Sequence, residues 1–253
     1  MRLIIQSDFR DGFYNMALDQ ALSDSVRNGD APATVRFYGW NPPAVSLGRN
    51  QPAADIDREA CRRAGVDVVR RPTGGRAVFH KDEFTYSVAA REDDPVIGGT
   101  VLDTYRMIAL ALLAGLKELG VPAQLVRSET RGGSIRDSAS CFAAAGRYEI
   151  TVDGRKIVGS AQRRVAGVIL QQGSLILSQP QNVPLLKNAA VAAEPATLEA
   201  IVGRTIGFAE LAGAMGRGFR SGWGVELNPE PVTPGEERQA RELAARDRTA
   251  ANS

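Results

Sequence analysis

The chain has 253 residues, of which 31 are basic and 29 acidic, giving a formal net charge of +2. This length suits one large domain or two small ones and allows a sizeable apolar core. The near balance of charge argues against nucleic acid as a partner, because that function needs a clustered basic excess. The N-terminus lacks the apolar core of a signal peptide, and no run of about 18 uncharged apolar residues occurs. We therefore expect a cytoplasmic protein with no membrane partner.

The first half of the chain carries helical and strand patterns in turn. Apolar residues at helical spacing predict helices at 13–27, 57–64 and 102–119. Short runs rich in β-branched and aromatic residues predict strands at 34–40, 44–48, 66–71 and 83–90. The third helix has the clearest pattern, and Gly120 and Pro122 mark its end.

The second half begins with a long segment, residues 128–146, that has no hydrophobic period. A loop of this length in a compact domain is usually functional or disordered. Asp153 and Gly154 then supply the two-residue turn of a hairpin. Later patterns predict strands at 167–177 and 223–227, helices at 195–202 and 208–220, and a fraying charged surface helix at 236–253. Strands and helices without regular alternation predict an α+β fold with a largely antiparallel sheet.

The segment RRPTGGRAVFH at 70–80 combines three arginines, two glycines and the only histidine of the chain. Gly74 and Gly75 can adopt backbone angles closed to other residues, so that backbone N–H groups approach a ligand. Arg70 and Arg76 would favour an anionic group there. A basic surface turn explains the pattern equally well, since it is neither a Walker A loop nor GxGxxG.

The two cysteines differ in their surroundings. Cys61 stands at helical spacing and is most simply a half-buried helix residue. Cys141 lies in the aperiodic segment near three arginines, at positions 131, 136 and 147. A thiol in an electropositive, partly exposed loop can have a lowered pKa and act as a nucleophile. An incidental loop cysteine is the alternative reading.

A nucleophilic thiol needs a group that takes its proton or stabilises its thiolate. His80 and Lys156 are the candidates. Lys156 follows the hairpin turn by two residues, and strand periodicity places it on one face with Val158 and Ser160. A solvated lysine is the ordinary alternative, whereas burial would lower the pKa of Lys156 and suit it to pair with a cysteine. Neither a metal-ligand cluster nor a Ser-His-Asp order is present in the sequence.

Five segments together resemble the lipoate–protein ligase and octanoyltransferase family, which shares its fold with biotin protein ligases. They are NMALDQAL, FYGWNPPAVSLGRNQ, RRPTGGRAVFH, GRKIVGSAQRR and GVILQQGSLIL, within residues 15–177. The resemblance implies an α+β catalytic domain, a largely antiparallel mixed sheet flanked by helices, over residues 1–230. A charged C-terminal helix or tail then occupies 231–253.

The resemblance also implies which residues bind substrate. By their match to the family segments, these are Arg70, Thr73, Gly74, Gly75, Arg76, His80, Gly159, Ser160 and Ala161. Further apolar walls of an acyl tunnel are expected at Val78, Val158 and Leu175. The substrate in this family is a lipoyl or octanoyl group that is transferred to a lysine of a small carrier domain.

One branch of the family, the octanoyl-ACP:protein octanoyltransferases, carries a catalytic cysteine in a loop shortly before the lysine hairpin. Cys141 precedes Lys156 by fifteen residues, which is similar to that branch. The resemblance implies octanoyl-acyl carrier protein as the donor, a Cys141 thioester, and Lys156 as the assisting group. The implied acceptor is a lipoyl carrier domain, of the glycine cleavage H protein or an E2 subunit, and ATP is not required.

Three alternatives stay open at this point. An ATP-dependent lipoate ligase would form lipoyl-AMP and use Lys156 to hold the acyl carbonyl. An amidotransferase would move octanoyl groups between carrier domains, also through a loop cysteine. A non-catalytic relative would bind an acyl group or a carrier domain without forming a thioester.

Overall fold

The computed structural model describes residues 1–127, 148–178 and 196–252. The helices in these ranges are α1 (Gly12–Asn28), α2 (Arg58–Arg63), α3 (Val101–Glu118), α4 (Leu198–Val202), α5 (Phe208–Trp223) and α6 (Pro234–Asn252). The strands are β1 (Arg2–Ile5), β2 (Thr34–Tyr38), β3 (Ala44–Leu47), β4 (Asp67–Arg70), β5 (Val78–His80), β6 (Glu83–Arg91), β7 (Gln124–Val126), β8 (Glu149–Val152), β9 (Arg155–Lys156), β10 (Val158–Val165), β11 (Val168–Ile176) and β12 (Asn228–Pro229).

The central sheet has six strands in the order β10-β11-β6-β2-β1-β12. The three pairings among β10, β11, β6 and β2 are antiparallel, while β1 runs parallel to both β2 and β12. Two three-stranded sheets, β4-β3-β5 and β7-β8-β9, complete the architecture. The prediction of an α+β fold with a mixed, largely antiparallel sheet is confirmed.

The two faces of the central sheet have opposite character. On one face, Phe37, Phe84 and Tyr86 pack with Leu112 of α3 and Phe219 of α5 in the main hydrophobic core. Successive residues of a strand point to opposite faces. The alternate positions of the same strands carry buried polar side chains that lie beneath α1, among them Arg36, Thr85, Ser87, Gln172 and Ser174. Such groups are costly to bury without partners, so this face must contain hydrogen-bonded networks.

The predicted strand at 223–227 is wrong. Helix α5 continues to Trp223, whose indole is buried and packs edge-on against Phe219 at 4.8 Å. Gly224 ends the helix in the left-handed conformation, and the strand in this region, β12, lies at Asn228–Pro229. Of the apolar side chains that suggested a strand, Trp223 belongs to the buried face of α5, and Leu227 is buried in the main core beyond the end of the helix.

The charged C-terminal stretch forms α6, which packs along α1. Ala240 and Ala244 of α6 are buried in a cluster with Leu18 of α1. At the start of α6, the Glu236 carboxylate forms a bidentate ion pair with Arg2 of β1, with N–O distances of 2.6 and 3.1 Å. The division of the chain at residue 230 stays a prediction. Within the described ranges, no helix is long and apolar enough to cross a membrane.

Candidate active site

The RRPTGG segment connects β4 to β5 and is held from inside by Arg71. The Arg71 guanidinium donates to the carbonyl of Gly74 at 2.7 Å and to that of Arg76 at 2.7 Å. On its other side it donates to the Ser46 carbonyl at 2.9 Å. Gly75 adopts a φ of 91°, which favours glycine, whereas Gly74 does not have a positive φ. Gly75 therefore allows the loop to turn, and the hydrogen bonds from Arg71 fix the shape of the loop.

A cleft lies beside this loop, and we name it the central cleft. Its walls include Met16, Tyr38, Trp40, Val78, His80 and the Gly159–Ala161 segment of β10. Of the residues predicted to bind substrate, His80, Gly159, Ser160 and Ala161 line it directly. Thr73 is tied to the cleft wall, because its hydroxyl donates to Gln172 Oε1 at 2.8 Å.

The remaining predicted substrate-binding residues do not line this cleft. Arg70 turns away from it and donates to the carbonyls of Gly48, Arg49 and Gln51 at 2.7, 3.0 and 2.8 Å. Arg71 donates to the carbonyls of Gly74 and Arg76, so these two hydrogen bonds fix the backbone from Gly74 through Gly75 to Arg76. Of the expected tunnel walls, Val78 lines the cleft and Leu175 belongs to the main core. Contact of these residues with substrate stays a prediction.

His80 is buried and has both ring nitrogens occupied. Nδ1 lies 2.7 Å from Glu83 Oε1, Nε2 lies 2.7 Å from Ser46 Oγ, and the ring stacks on Trp40 at 3.9 Å. The Ser46 hydroxyl also accepts from Arg71 at 3.0 Å, and Glu83 Oε1 also accepts from the Thr85 hydroxyl at 2.6 Å, so both polar neighbours of the ring are themselves held in place. His80 is thus a fixed wall of the cleft whose two nitrogens are already engaged.

A second polar network underlies the cleft and was not predicted from the sequence. Asp19 of α1 and Arg36 of β2, both fully buried, pair at 2.6 Å. Asp19 also accepts from Tyr38 at 2.9 Å and from Gln172 Nε2 at 2.6 Å. Through Gln172 the network reaches Thr73 in the RRPTGG segment. Burial, reinforced by the charge of Asp19, raises the pKa of Tyr38 well above its ordinary value. The floor of the cleft is therefore preorganised by charges outside the motif.

Lys156 lies at the end of the predicted hairpin. Asp153 and Gly154 form its turn with φ values of 49° and 72°, as a type I′ turn requires, and β9 pairs with β8. After Ile157 the chain leaves this small sheet and continues as β10 of the central sheet. The Lys156 side chain is only 13% exposed, and its Nζ lies 3.2 Å from Glu149 Oε1. Lys156 is therefore not a solvated surface lysine.

Lys156, Val158 and Ser160 line one cavity with Tyr86, Tyr148 and Gln171, which we name the lysine cavity. The prediction of one shared sheet face is wrong, because Lys156 ends β9 of the small sheet whereas Val158 and Ser160 belong to β10 of the central sheet; the three side chains share a cavity instead. Ser160 also lines the central cleft, and its hydroxyl lies 2.7 Å from that of Tyr86. Burial raises the pKa of Tyr86 to about 12, so its hydroxyl stays protonated at neutral pH. The Ser160–Tyr86 pair thus stands between the lysine and the cleft.

The two cysteines have separate outcomes. Cys141 lies outside the described residues, so its role as nucleophile stays a prediction. Cys61 lies in α2, as predicted, and is 1% exposed in an apolar cluster with Val45 and Leu47. Burial, followed by the nearby carboxylate of Asp57, raises the pKa of the Cys61 thiol. A buried thiol with a raised pKa is a poor nucleophile.

Solved structures define the class of fold. A lipoate-protein ligase A bound with ATP superposes with a TM-score of 0.77 at 23% identity, covering 96% of this chain and 94% of its own. A bi-partite lipoate protein ligase from Thermoplasma acidophilum has a TM-score of 0.74 at 23% identity, with 96% and 91% covered. At these identities the likeness concerns the fold, which is that of the lipoate protein ligases.

Sequence comparisons define the family. The model for the lipoyl protein ligase A/B catalytic domain matches residues 11–219. Octanoyltransferase LipM of Symbiobacterium thermophilum is 41% identical over 95% of this chain and 93% of its own length. Octanoyltransferase LipM of Moorella thermoacetica is 40% identical over 96% and 94%. The chain belongs to the lipoyl protein ligase A/B catalytic-domain family. The predicted resemblance is confirmed, and with it the prediction of an enzyme of octanoyltransferase type.

Proposed function

We propose that this enzyme transfers an octanoyl group from octanoyl-acyl carrier protein to a lysine of a lipoyl carrier domain, as a step of lipoate biosynthesis. The observation that carries the proposal is the position of Lys156. It is a nearly buried lysine that lines a cavity joined through Ser160 to a cleft with apolar walls. The similarity to octanoyltransferases over most of the chain supports this assignment.

The central cleft takes the octanoyl chain. Met16, Trp40 and Val78 offer apolar surface there, and burial of each CH₂ contributes about 0.8 kcal/mol. The glycine at position 173 of β11 allows the Tyr86 ring to lie against the strand, since a Cβ there would come within 2.4 Å of that ring. Tyr86 with its Ser160 partner limits the depth to which the chain can extend.

Transfer proceeds through a thioester on Cys141. The Cys141 thiolate attacks the octanoyl carbonyl, its new C–S bond forms, and the bond to the pantetheine sulfur breaks. One thioester replaces another, so this step needs no ATP. The acceptor lysine amine then attacks the octanoyl-enzyme, an amide forms, and Cys141 leaves as a thiolate.

Two groups of this chain assist the reaction. The Lys156 ammonium stabilises the Cys141 thiolate by its charge and gives its proton to the departing pantetheine thiolate. As the neutral amine it then takes the proton that the acceptor amine loses, which restores the ammonium. Backbone N–H groups of the Gly75–Arg76 segment stabilise the oxyanion, and loss of one such donor typically costs about 2.7–4 kcal/mol of barrier. The hydrogen bonds from Arg71 to the carbonyls on either side of Gly75 support this role, because they restrict movement of the segment.

The acceptor is a lipoyl domain of the glycine cleavage H protein or of an E2 subunit. The proposal predicts octanoylation of such a domain from octanoyl-acyl carrier protein without ATP, read as a mass increase of the domain. A parallel reaction contains free octanoate and ATP in place of octanoyl-acyl carrier protein. Modification that occurs only with octanoate and ATP would reject the proposal in favour of an adenylating ligase.

A further inference from the structure

A third cavity, which we name the arginine cavity, opens behind the RRPTGG segment. Its volume is about 430 Å³, within the range of small-ligand sites. Its walls come from α1, β4, β10 and α6. Six arginines line it, namely Arg49, Arg58, Arg70, Arg71, Arg163 and Arg246, with Asp247 as the acidic side chain among its lining residues.

Most of these arginines hold structure in place. Arg70 and Arg71 donate to backbone carbonyls, Arg58 donates to the carbonyl of Ala251 at 3.0 Å, and Arg246 pairs with Asp247 at 3.3 Å. Carbonyl acceptors satisfy the N–H groups without cancelling the positive charge. The cavity therefore keeps a large excess of positive charge.

Arg49 and Arg163 are different. Neither guanidinium has an ion pair or hydrogen bond with any other residue that the structure describes. Arg163 is half-buried on β10, and burial, followed by the nearby charge of Arg49, lowers its pKa. Two like charges that line the same concave site repel each other, and an anion between them would remove that repulsion. The planar guanidinium group is suited to hold a phosphate through paired hydrogen bonds.

The arginine cavity and the central cleft adjoin. Met16 and Arg71 line both of them, so a ligand anchored at the arginines can extend towards the cleft. Arg163 and Ala161 lie on the same face of β10, one bordering the arginine cavity and the other the central cleft. An elongated donor with an anionic group at one end and an acyl thioester at the other fits this arrangement.

We propose that Arg49 and Arg163 bind the phosphate of the phosphopantetheine arm of the donor. This inference rests on the proposed function, because a carrier-protein thioester brings its own phosphodiester whereas free octanoate has none. The cavity is too small for a protein surface and holds a single phosphate group with part of the arm. Arg49 and Arg163 thereby distinguish a carrier-bound octanoyl group from other octanoyl thioesters.

The test compares octanoyl-phosphopantetheine with octanoyl-pantetheine, which lacks the phosphate. The wild-type enzyme should use the phosphorylated donor with a kcat/KM about tenfold higher or more, as expected for a charge-assisted contact. Arg49→Gln and Arg163→Gln should each raise KM about tenfold for octanoyl-phosphopantetheine and for octanoyl-acyl carrier protein. They should leave kcat, and all kinetics with octanoyl-pantetheine, unchanged. Arg217→Gln, an exposed arginine on α5, is the control for loss of one charge.

The inference would be overturned if Arg49→Gln and Arg163→Gln lowered kcat/KM equally for octanoyl-phosphopantetheine and octanoyl-pantetheine, or lowered it for neither. A loss confined to octanoyl-acyl carrier protein would also overturn it, because the arginines would then contact the carrier's surface. Calorimetry measures the binding affinity of unacylated phosphopantetheine and pantetheine, so it tests the site without any octanoyl transfer. If the wild type binds phosphopantetheine and both substitutions weaken that binding, the site is supported even when the enzyme transfers nothing. Equal affinity of the wild type for phosphopantetheine and pantetheine would reject the site. Absence of transfer from every donor would count against the proposed function instead.

Discussion

Ser160 and Lys156 line the same cavity from different strands, β10 and β9, and have different surroundings. Ser160 borders both the central cleft and the lysine cavity and is fixed by the Tyr86 hydroxyl at 2.7 Å. Lys156 lines the lysine cavity with Glu149 as an ion-pair partner at 3.2 Å. The ion pair fixes the position of the Lys156 side chain close to the central cleft, as the proposed stabilisation of a thiolate requires.

Substitution of Lys156 by alanine tests this role. Under the proposed mechanism, removal of the Lys156 cation should raise the apparent pKa of the Cys141 thiol and slow octanoyl transfer by about a hundredfold or more, in the range of general acid–base catalysis. The rate of alkylation of Cys141 against pH should therefore shift to higher pH. Lys117→Ala, on the exposed surface of α3, is the matched control. An alkylation profile identical to that of the wild type would remove Lys156 from the activation of the thiol.

At the residue scale, the sequence allowed prediction of the motif residues but not of the charges that support them. His80, Gly159, Ser160 and Ala161 were placed at the cleft by their match to family segments. Asp19 and Arg36 were missed because their partners come from distant parts of the chain, and only the folded sheet brings α1 over β2. A usable signal was present, since Asn15 and Asp19 stand four residues apart on one helical face.

At the scale of elements, hydrophobic spacing was sufficient to predict α1, α3 and the strand β11 within a residue or two. It failed where α5 meets Gly224, since a short apolar run fits a helix end or a strand equally well. It also could not show that β9 and β10 join different sheets. That change of sheet at Ile157 lets Lys156 of β9 and Val158 and Ser160 of β10 line one cavity from two different sheets.

Helix α6 depends on a buried ion pair that should make stability depend on pH. Burial alone would raise the pKa of Glu236, but hydrogen bonds from Arg2 and Thr233 hold it below the ordinary value of 4.5. A carboxyl group with a depressed pKa in the folded state stabilises the protein above its unfolded-state pKa. That contribution is lost as pH falls through the folded pKa, which here lies below 4.5.

Glu236→Gln should therefore lower the free energy of unfolding by about 3 kcal/mol near neutral pH, because Arg2 is left buried without its anion. The difference from the wild type should narrow as pH falls below 4.5. Urea unfolding at a series of pH values measures both effects. Glu242→Gln, on the exposed face of α6, is the control. A constant difference across this range would show that the pair contributes no pH-dependent stability.

At the scale of the whole molecule, three cavities adjoin β10, and two of them, the central cleft and the arginine cavity, also adjoin the RRPTGG segment. The central cleft offers apolar walls, the lysine cavity offers the Lys156 side chain, and the arginine cavity offers two guanidinium groups without described partners. β10 contributes to all three, through Ala161, Val158 and Arg163 respectively. In the proposed complex, the acyl chain of the donor lies in the central cleft, its thioester lies close to Lys156, and its phosphate lies in the arginine cavity.

The central claim is that an octanoyl group passes through Cys141. It is tested most directly by intact-protein mass spectrometry after brief mixing with octanoyl-acyl carrier protein in the absence of ATP. We expect a mass increase of one octanoyl group that hydroxylamine removes, that Cys141→Ser abolishes and that Cys61→Ala retains. An adduct that survives in Cys141→Ser, or one that forms only when ATP is present, would contradict it.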